Sequence, residues 1–438
     1  MITRRELLAA AALTMTGADA MPDGFVRLES GRFTLGGKPY RFAGTNLWYG
    51  AYLGAEGPTG DRARLKHELD LLKSLGVTNL RVLGASELSP LKNSLRPAFR
   101  DSSSSYNEDL LGGLDFLLAE MAERNMKAVV FLNNFWEWSG GMVTYLYWVN
   151  GGHYIDLGDP AHPWPEFADF SAQFYANEKA NALYREYATA LLRRTNTISG
   201  RAYRNDPTIM AWELANEPRA GGNADRAPYD AFYAWVSKTA DFIKTLAPNH
   251  LVTTGSEGLK GCLESEECVL RAHAAPNIDY MTFHIWPLNW SWINPSNMEG
   301  GFPSCATKTK DYIAAHAQMA VQLKKPAVIE EFGFPRNGGL YAPGVSAAYR
   351  DQYYSLVFEA VENSARTGGP LAGSNFWAWG GLGRAQHDDF LMRSGETGYA
   401  GDPPQEPQGR NSVFDSDTTT IAIIRKHAAV LKHLHSRS

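Results

Sequence analysis

Short apolar runs alternate along this chain with longer stretches of helical period. Eight runs read as strands: Phe42 to Asn46, Asn79 to Val82, Ala128 to Leu132, Ile209 to Leu214, Leu251 to Thr254, Tyr280 to His284, Ala327 to Glu331 and Ser374 to Trp377. Six stretches read as helices: Arg62 to Ser74, Leu110 to Glu123, Lys179 to Arg193, Tyr229 to Thr245, Thr307 to Leu323 and Ala347 to Ser364. Upstream, Phe25-Val-Arg-Leu and Arg32-Phe-Thr-Leu-Gly36-Gly37 predict a small hairpin leading into the first of these strands. The alternation predicts an α/β fold, a (β/α)8 TIM barrel with an N-terminal β-hairpin and long loops at its C-terminal face. A doubly wound sheet is a poorer fit, because no Gly-rich phosphate loop follows the first strand, and a G-x-S-x-G nucleophile elbow is absent.

The first residues break this pattern. Arg4 and Arg5 precede an apolar run from Leu7 to Met15 that is too short to span a bilayer, and Ala18-Asp19-Ala20 offers a small-residue cleavage site. Residues 1–20 therefore read as a signal peptide, with Thr3-Arg-Arg-Glu-Leu-Leu8 resembling the twin-arginine type. Residues 21–438 read as one domain, since no linker or low-complexity tract divides them. The expected destination is secreted or periplasmic, with no stable membrane association after cleavage.

Composition narrows the function. The 438 residues carry 42 Lys and Arg against 47 Asp and Glu, a formal charge of −5 without a basic stripe, which argues against nucleic acid as a partner. Three cysteines exclude a disulfide scaffold, although Cys262 and Cys268 stand close enough in sequence to bridge. His427, His433 and His435 read as a solvated helix end, and no metal or organic cofactor is implied. The 12 Trp, 20 Tyr and 20 Phe exceed what a core alone needs, and flat aromatic faces suit sugar rings. Eleven of these rings fall between Phe135 and Asn177, a segment of little helical period that reads as a cleft wall or as a loop packed by its own aromatics. Trp290 and Trp292 add a further wall.

Chemistry gathers where the strands end. Trp212-Glu-Leu-Ala-Asn-Glu-Pro218 and Val328-Ile-Glu-Glu-Phe-Gly333 each place a carboxylate just past an apolar strand. Two carboxylates in one cleft are the minimal equipment for glycoside hydrolysis, one protonating the leaving oxygen while the other attacks or activates water. Glu213 competes with Glu217, but it lies inside its strand and needs a structural partner. Glu330 competes with Glu331; alternation along a strand would turn one of them to the barrel mouth and the other to the helical layer or a loop.

These residues resemble glycoside hydrolase family 5. Asn216-Glu217-Pro218 resembles the family's acid/base motif and Glu331-Phe332-Gly333 its nucleophile motif. Arg81 resembles the arginine that holds the nucleophile, His284 the strand-6 histidine, and Trp377 the tryptophan flooring the subsite of the cleaved sugar. Gly44-Thr-Asn-Leu-Trp48, Asn133-Asn134 before Trp136, and Arg219 after the Asn-Glu-Pro motif resemble the family's β-mannanase branch. Where the family usually has a Tyr that bonds the nucleophile, this chain has Trp286, whose indole can donate but not accept. The resemblance implies a retaining, cofactor-independent, monomeric hydrolase. Its expected substrates are β-mannan, glucomannan or manno-oligosaccharides. Glu217 and Glu331 would be catalytic, with Trp48, Arg81, Asn134, Trp136, Asn216, Arg219, His284, Trp286 and Trp377 at the substrate. An exo-acting β-mannosidase, a β-glucanase of the same family and a non-catalytic glycan-binding barrel are the rival readings.

Overall fold

The computed structural model describes residues 24–435, so the signal segment lies outside the described residues. Strands β1 (Val26–Glu29), β2 (Arg32–Leu35) and β3 (Lys38–Pro39) form an antiparallel ribbon, with Gly36 and Gly37 at positive φ in the second turn. The eight barrel strands follow: β4 (Phe42–Asn46), β5 (Asn79–Leu83), β6 (Lys127–Phe131), β7 (Ile209–Glu213), β8 (Leu251–Thr253), β9 (Met281–Ile285), β10 (Ala327–Phe332) and β11 (Leu371–Phe376). They pair in parallel in the order β8-β7-β6-β5-β4-β11-β10-β9. The last gap is bridged by the Asp279 N–H donating to Val252 O and Thr253 Oγ1 donating to Tyr280 O, giving a nearly closed barrel. Burial on both faces explains why these strands read as continuous apolar runs.

The helices are α1 (Gly50–Gly54), α2 (Arg62–Leu75), α3 (Glu108–Glu123), α4 (Gly141–Val149), α5 (Glu166–Ser171), α6 (Glu178–Arg193), α7 (Tyr229–Leu246), α8 (Glu266–Ala274), α9 (Met298–Leu323), α10 (Ala348–Thr367) and α11 (Thr418–His435). Side-chain caps explain several starts: Asp61, Asn107, Asn177 and Ser265 each accept an N–H from the first turn of the helix that follows. The expected helices are present, but α9 begins nine residues before the predicted start. Asn297 caps Gly300 N there, and the helix absorbs Pro303, which reads in isolation as a breaker.

Three expectations are corrected. The aromatic segment after β6 contains α4 and α5; α4 is apolar all round and largely buried, so it shows no amphipathic period. His427 is buried rather than solvated, stacking on Phe358 at 4.1 Å with its Nδ1 3.1 Å from Glu362. Cys262 and Cys268 are buried free thiols that interact with each other.

Packing separates the two ends of the barrel. Val26 and Phe33 of the ribbon join Phe42, Met210, Leu251, Tyr280 and Val328 in a cluster that plugs the N-terminal end. The C-terminal end stays available for chemistry. Beyond β11, strands β12 (Trp379–Gly381) and β13 (Val413–Phe414) pair and hold the ends of a long excursion, residues 382–412. Its residues 403–406 lie over the barrel mouth. No helix among the described residues is long and apolar enough to cross a membrane.

Candidate active site

A cavity of about 520 Å³ opens at the C-terminal end of the barrel, and both candidate carboxylates line it. Glu217 arrives through a sharp change of direction after β7. Leu214 N and Ala215 N still bond β8 and the residues after it, Asn216 N turns to Asn133 O, and Glu217 itself adopts φ 51°, with its N–H on Gly255 O at 2.9 Å. A left-handed non-glycine residue is strained, and strain of this kind collects at functional sites. The turn needs Gly255 as its neighbour, because a Cβ there would stand 2.0 Å from Ala215 O.

Glu331 arrives through a β-bulge. Ile329 pairs with Phe283 and Glu331 with His284, leaving Glu330 as the extra residue. This corrects the alternation argument: Glu330 does not face the helices but points inward, 3.8 Å from Arg81 Nε and 3.9 Å from His284 Nε2. Both neighbouring glutamates serve one site because the bulge breaks the period of two.

Arg81, wholly buried on β5, organises the floor. It donates to Glu331, to Asn216 Oδ1 at 2.7 Å, to Asn46 Oδ1 at 3.1 Å and bidentately to Glu213 at 2.8 and 2.6 Å. Glu213 thus has the structural partner its buried position requires, and burial pushes its carboxyl up to about 8 against the pull of Arg81. His284 stands between the two carboxylates, its Nδ1 2.7 Å from Glu217 Oε1 and 3.2 Å from Glu331 Oε2. Burial opposes charge on this imidazole, but Glu331, Glu217 and Glu330 outweigh it and hold its pKa well above the usual value. Burial likewise would raise Glu217, yet His284, Arg219 and the Trp136 indole hold its carboxyl below the ordinary range. One oxygen of each carboxylate and a ring nitrogen of His284 lie within 4.8 Å of one another.

Trp286 does not fill the family's tyrosine role: its Nε1 donates to Glu217 Oε1 at 3.1 Å, and the Trp136 indole donates to Oε2. Glu331 is left to Arg81 and His284. Trp136 is in turn stacked on Phe167 at 6.0 Å and Trp164 at 6.2 Å, with the Arg219 guanidinium 5.2 Å from its ring. Arg219 pairs with buried Glu257 at 2.6 Å.

Trp136, Asn216, Arg219, Trp286 and Trp377 line the cavity as expected. Arg81, Asn134 and His284 lie behind it, holding other side chains; Asn134 accepts from Asn216 Nδ2 at 3.0 Å and from Trp136 N at 3.0 Å. Trp48 is corrected outright. It is fully buried, bonds Gly401 O at 2.8 Å and packs edge-on against Trp138, which does reach the cavity. Trp290 is a wall, whereas Trp292 packs on Tyr312. Sequence reasoning missed Glu257, Lys260 and Glu406 as cavity residues, whereas Trp138 and Asn289 come from the two segments it read as walls. Glu406, pushed up to about 7 by burial, comes from the excursion after β12, which carries no strand-end signal.

The model of a family described as "GH family 5 beta-mannosidase-like" matches residues 23–436. The chain belongs to glycoside hydrolase family 5. Among curated relatives it is 31% identical to mannan endo-1,4-beta-mannosidase 7 of Arabidopsis thaliana, over 82% of this chain and 79% of that one. Among solved structures it resembles the family 5 mannosidase of Rhizomucor miehei, with TM-score 0.87, 35% identity and coverage of 95% and 99% of the two chains. A glutamate-to-alanine mutant of that mannosidase is in complex with mannosyl-fructose. The endo-1,4-beta-mannanase of the same organism matches at TM-score 0.67 and 26% identity, over 93% and 99%. This family 5 member is therefore a glycoside hydrolase of the mannanase and mannosidase group.

Proposed function

We propose that this enzyme cleaves β-1,4-mannosidic bonds by double displacement, with Glu331 as nucleophile and Glu217 as acid and then base. The observation that carries the reading is the spacing of the carboxylates, an oxygen of each within the same 4.8 Å cluster. Retaining enzymes hold the two groups about 5 to 5.5 Å apart, whereas inverting ones need roughly 6.5 to 9.5 Å to admit a water. Glu331 is oriented by Arg81 and His284, which hold its carboxylate toward the cavity. Glu217 and His284 hold one proton across their 2.7 Å contact. Its donation to the leaving oxygen leaves Glu217 anionic, ready to take a proton from the water that releases the glycosyl-enzyme. Trp377 gives the sugar a flat floor at the base of the cavity.

The cavity walls favour action at chain ends on short manno-oligosaccharides over action within a polymer. Residues 403–406, Trp164 and Trp290 come from three separate excursions and enclose about 520 Å³. The stronger likeness to the mannosidase than to the endo-mannanase points the same way. Two measurements on one reaction test both levels. Proton NMR of the first product of mannotriose cleavage is expected to show the β-anomer, and an α-anomer appearing first refutes double displacement. Product sizes from mannan and mannohexaose are expected to begin with the monosaccharide; an early spread of mid-sized oligosaccharides restores the endo reading.

A further inference from the structure

Glu330 stands against this cluster, and the reaction has not used it. Its side chain is 1% exposed, neither carboxylate oxygen has a hydrogen-bond partner, and the bulge in β10 exists to turn it inward. A buried carboxylate without hydrogen bonds is costly unless cations stand beside it. Two do: Arg81 Nε at 3.8 Å and His284 Nε2 at 3.9 Å. That ring nitrogen is itself buried and without a hydrogen bond. His284 is therefore sandwiched, with Glu217 and Glu331 on Nδ1 and Glu330 facing Nε2 from the opposite side.

Resting on the double-displacement reading, the geometry points to Glu330 as a positioning residue. Set behind His284, it holds a proton on Nε2, and so keeps Nδ1 charged with the proton that Glu217 passes to the leaving oxygen. The nitrogen of an imidazole that faces an anion keeps its hydrogen, and this decides what the other nitrogen can do. The sign of the effect does not depend on where the shared proton rests. An anion beside the Glu217–His284 pair raises the pair's affinity for that proton in either location. Glu213 from β7 and Glu257 from the loop after β8 act on the same ring, and Arg81 from β5 holds Glu331 beside it. Arg219 acts on Glu217 from beyond it. Of these, Arg81 and Glu213 also feel the charge of Glu330 itself. Its hydroxyl neighbour, Tyr280 just before β9, is buried and its ionisation is pushed further up by burial first and Glu330 second.

The test is the pH profile of kcat/KM for Glu330→Gln on mannotriose, whose leaving group needs a proton. Loss of the anion is expected to move the basic limb down by about one pH unit, with the acidic limb in place. A basic limb that stays put while kcat falls makes Glu330 a filler of space and overturns the assignment. A second measurement needs no variant: ring nitrogen-15 shifts of His284 in the wild-type enzyme. Nε2 is expected to remain protonated across the active pH range, and a neutral ring that carries its hydrogen on Nδ1 alone overturns the assignment even if Glu330→Gln does not fold. Wild-type enzyme that leaves every β-mannoside intact would refute the proposed reaction instead, while the nitrogen shifts would still decide the role of Glu330.

Discussion

Glu217 and Glu331 are chemically the same residue and are given different work by their surroundings. Two indoles, Arg219 and His284 surround Glu217, whereas Glu331 leans on Arg81. Roles that differ this way are separable by truncation. Glu217→Ala is expected to lose roughly 10² to 10⁴ in kcat/KM on mannotriose, the worth of general acid–base assistance, while an aryl mannoside with a good leaving group is still glycosylated. Azide, which needs no base, is expected to restore its turnover and give a β-mannosyl azide. Glu331→Ala is expected to fail on both substrates and to ignore azide. Equal residual activity of the two variants on the aryl mannoside would reverse or void the assignment. The motif reading found both residues because each sits at a strand end, where type and position are visible together. It misplaced Glu330, because a bulge is a property of two paired strands and leaves no mark on one.

Among the elements, the excursion from Leu382 to Ser412 shows how a site is completed from a distance. It is tied to the barrel by the Trp48 indole on Gly401 O and by the Arg64 guanidinium on Tyr399 O, while buried Asp402 accepts backbone N–H groups from Gly409 and Asn411 within it. Trp48→Phe removes one of these ties, leaving a buried carbonyl unpaired and a gap beside Trp138. A loss of about 2 kcal/mol follows from the unmade hydrogen bond and the lost packing. Calorimetry is expected to show the melting temperature lower by a few degrees, with KM for mannotriose changed less than about twofold. A tenfold rise in KM with melting unaltered would return Trp48 to the substrate, where its Gly-Thr-Asn-Leu-Trp context placed it. The contrast with Trp377 is instructive. Both follow barrel strands, but Trp377 lines the cavity whereas Trp48 is covered by Tyr399 and Trp138 from other parts of the chain.

At the scale of the whole molecule, buried titratable groups set the pH of greatest stability. Burial pushes Glu87, Glu137, Glu257 and Glu406 up to about 7 and Glu213 up to about 8. Between their unfolded values and these, the folded state binds more protons, so stability falls as pH rises through that window. Burial lowers His250 and His273 to about 4 and His316 to about 3. There the unfolded state binds more protons, so their stabilisation is complete above about 6.5 and is lost as pH falls toward 4. Five groups oppose three until the carboxyls of the unfolded chain also protonate, near pH 4.5; below that the histidines act unopposed. The melting temperature is therefore expected to peak at about pH 4.5 and to decline on both sides. A peak at pH 8 or above in a buffer series would contradict this balance.

The sequence by itself determined the barrel, its eight strands, the N-terminal hairpin, the loop-bearing C-terminal face and the two carboxylates. These follow from period, strand length and position at strand ends, which are local properties. Tertiary structure alone decided that Arg81, Asn134, Trp48 and His284 stand behind the cavity rather than at it, because burial depends on what other segments bring. It also decided that Trp286 serves Glu217, and that residues 403–406 cross the barrel mouth. A strand bulge, a left-handed turn at Glu217 and a loop folded back over the site are contacts between distant parts of the chain. No window of sequence contains both partners.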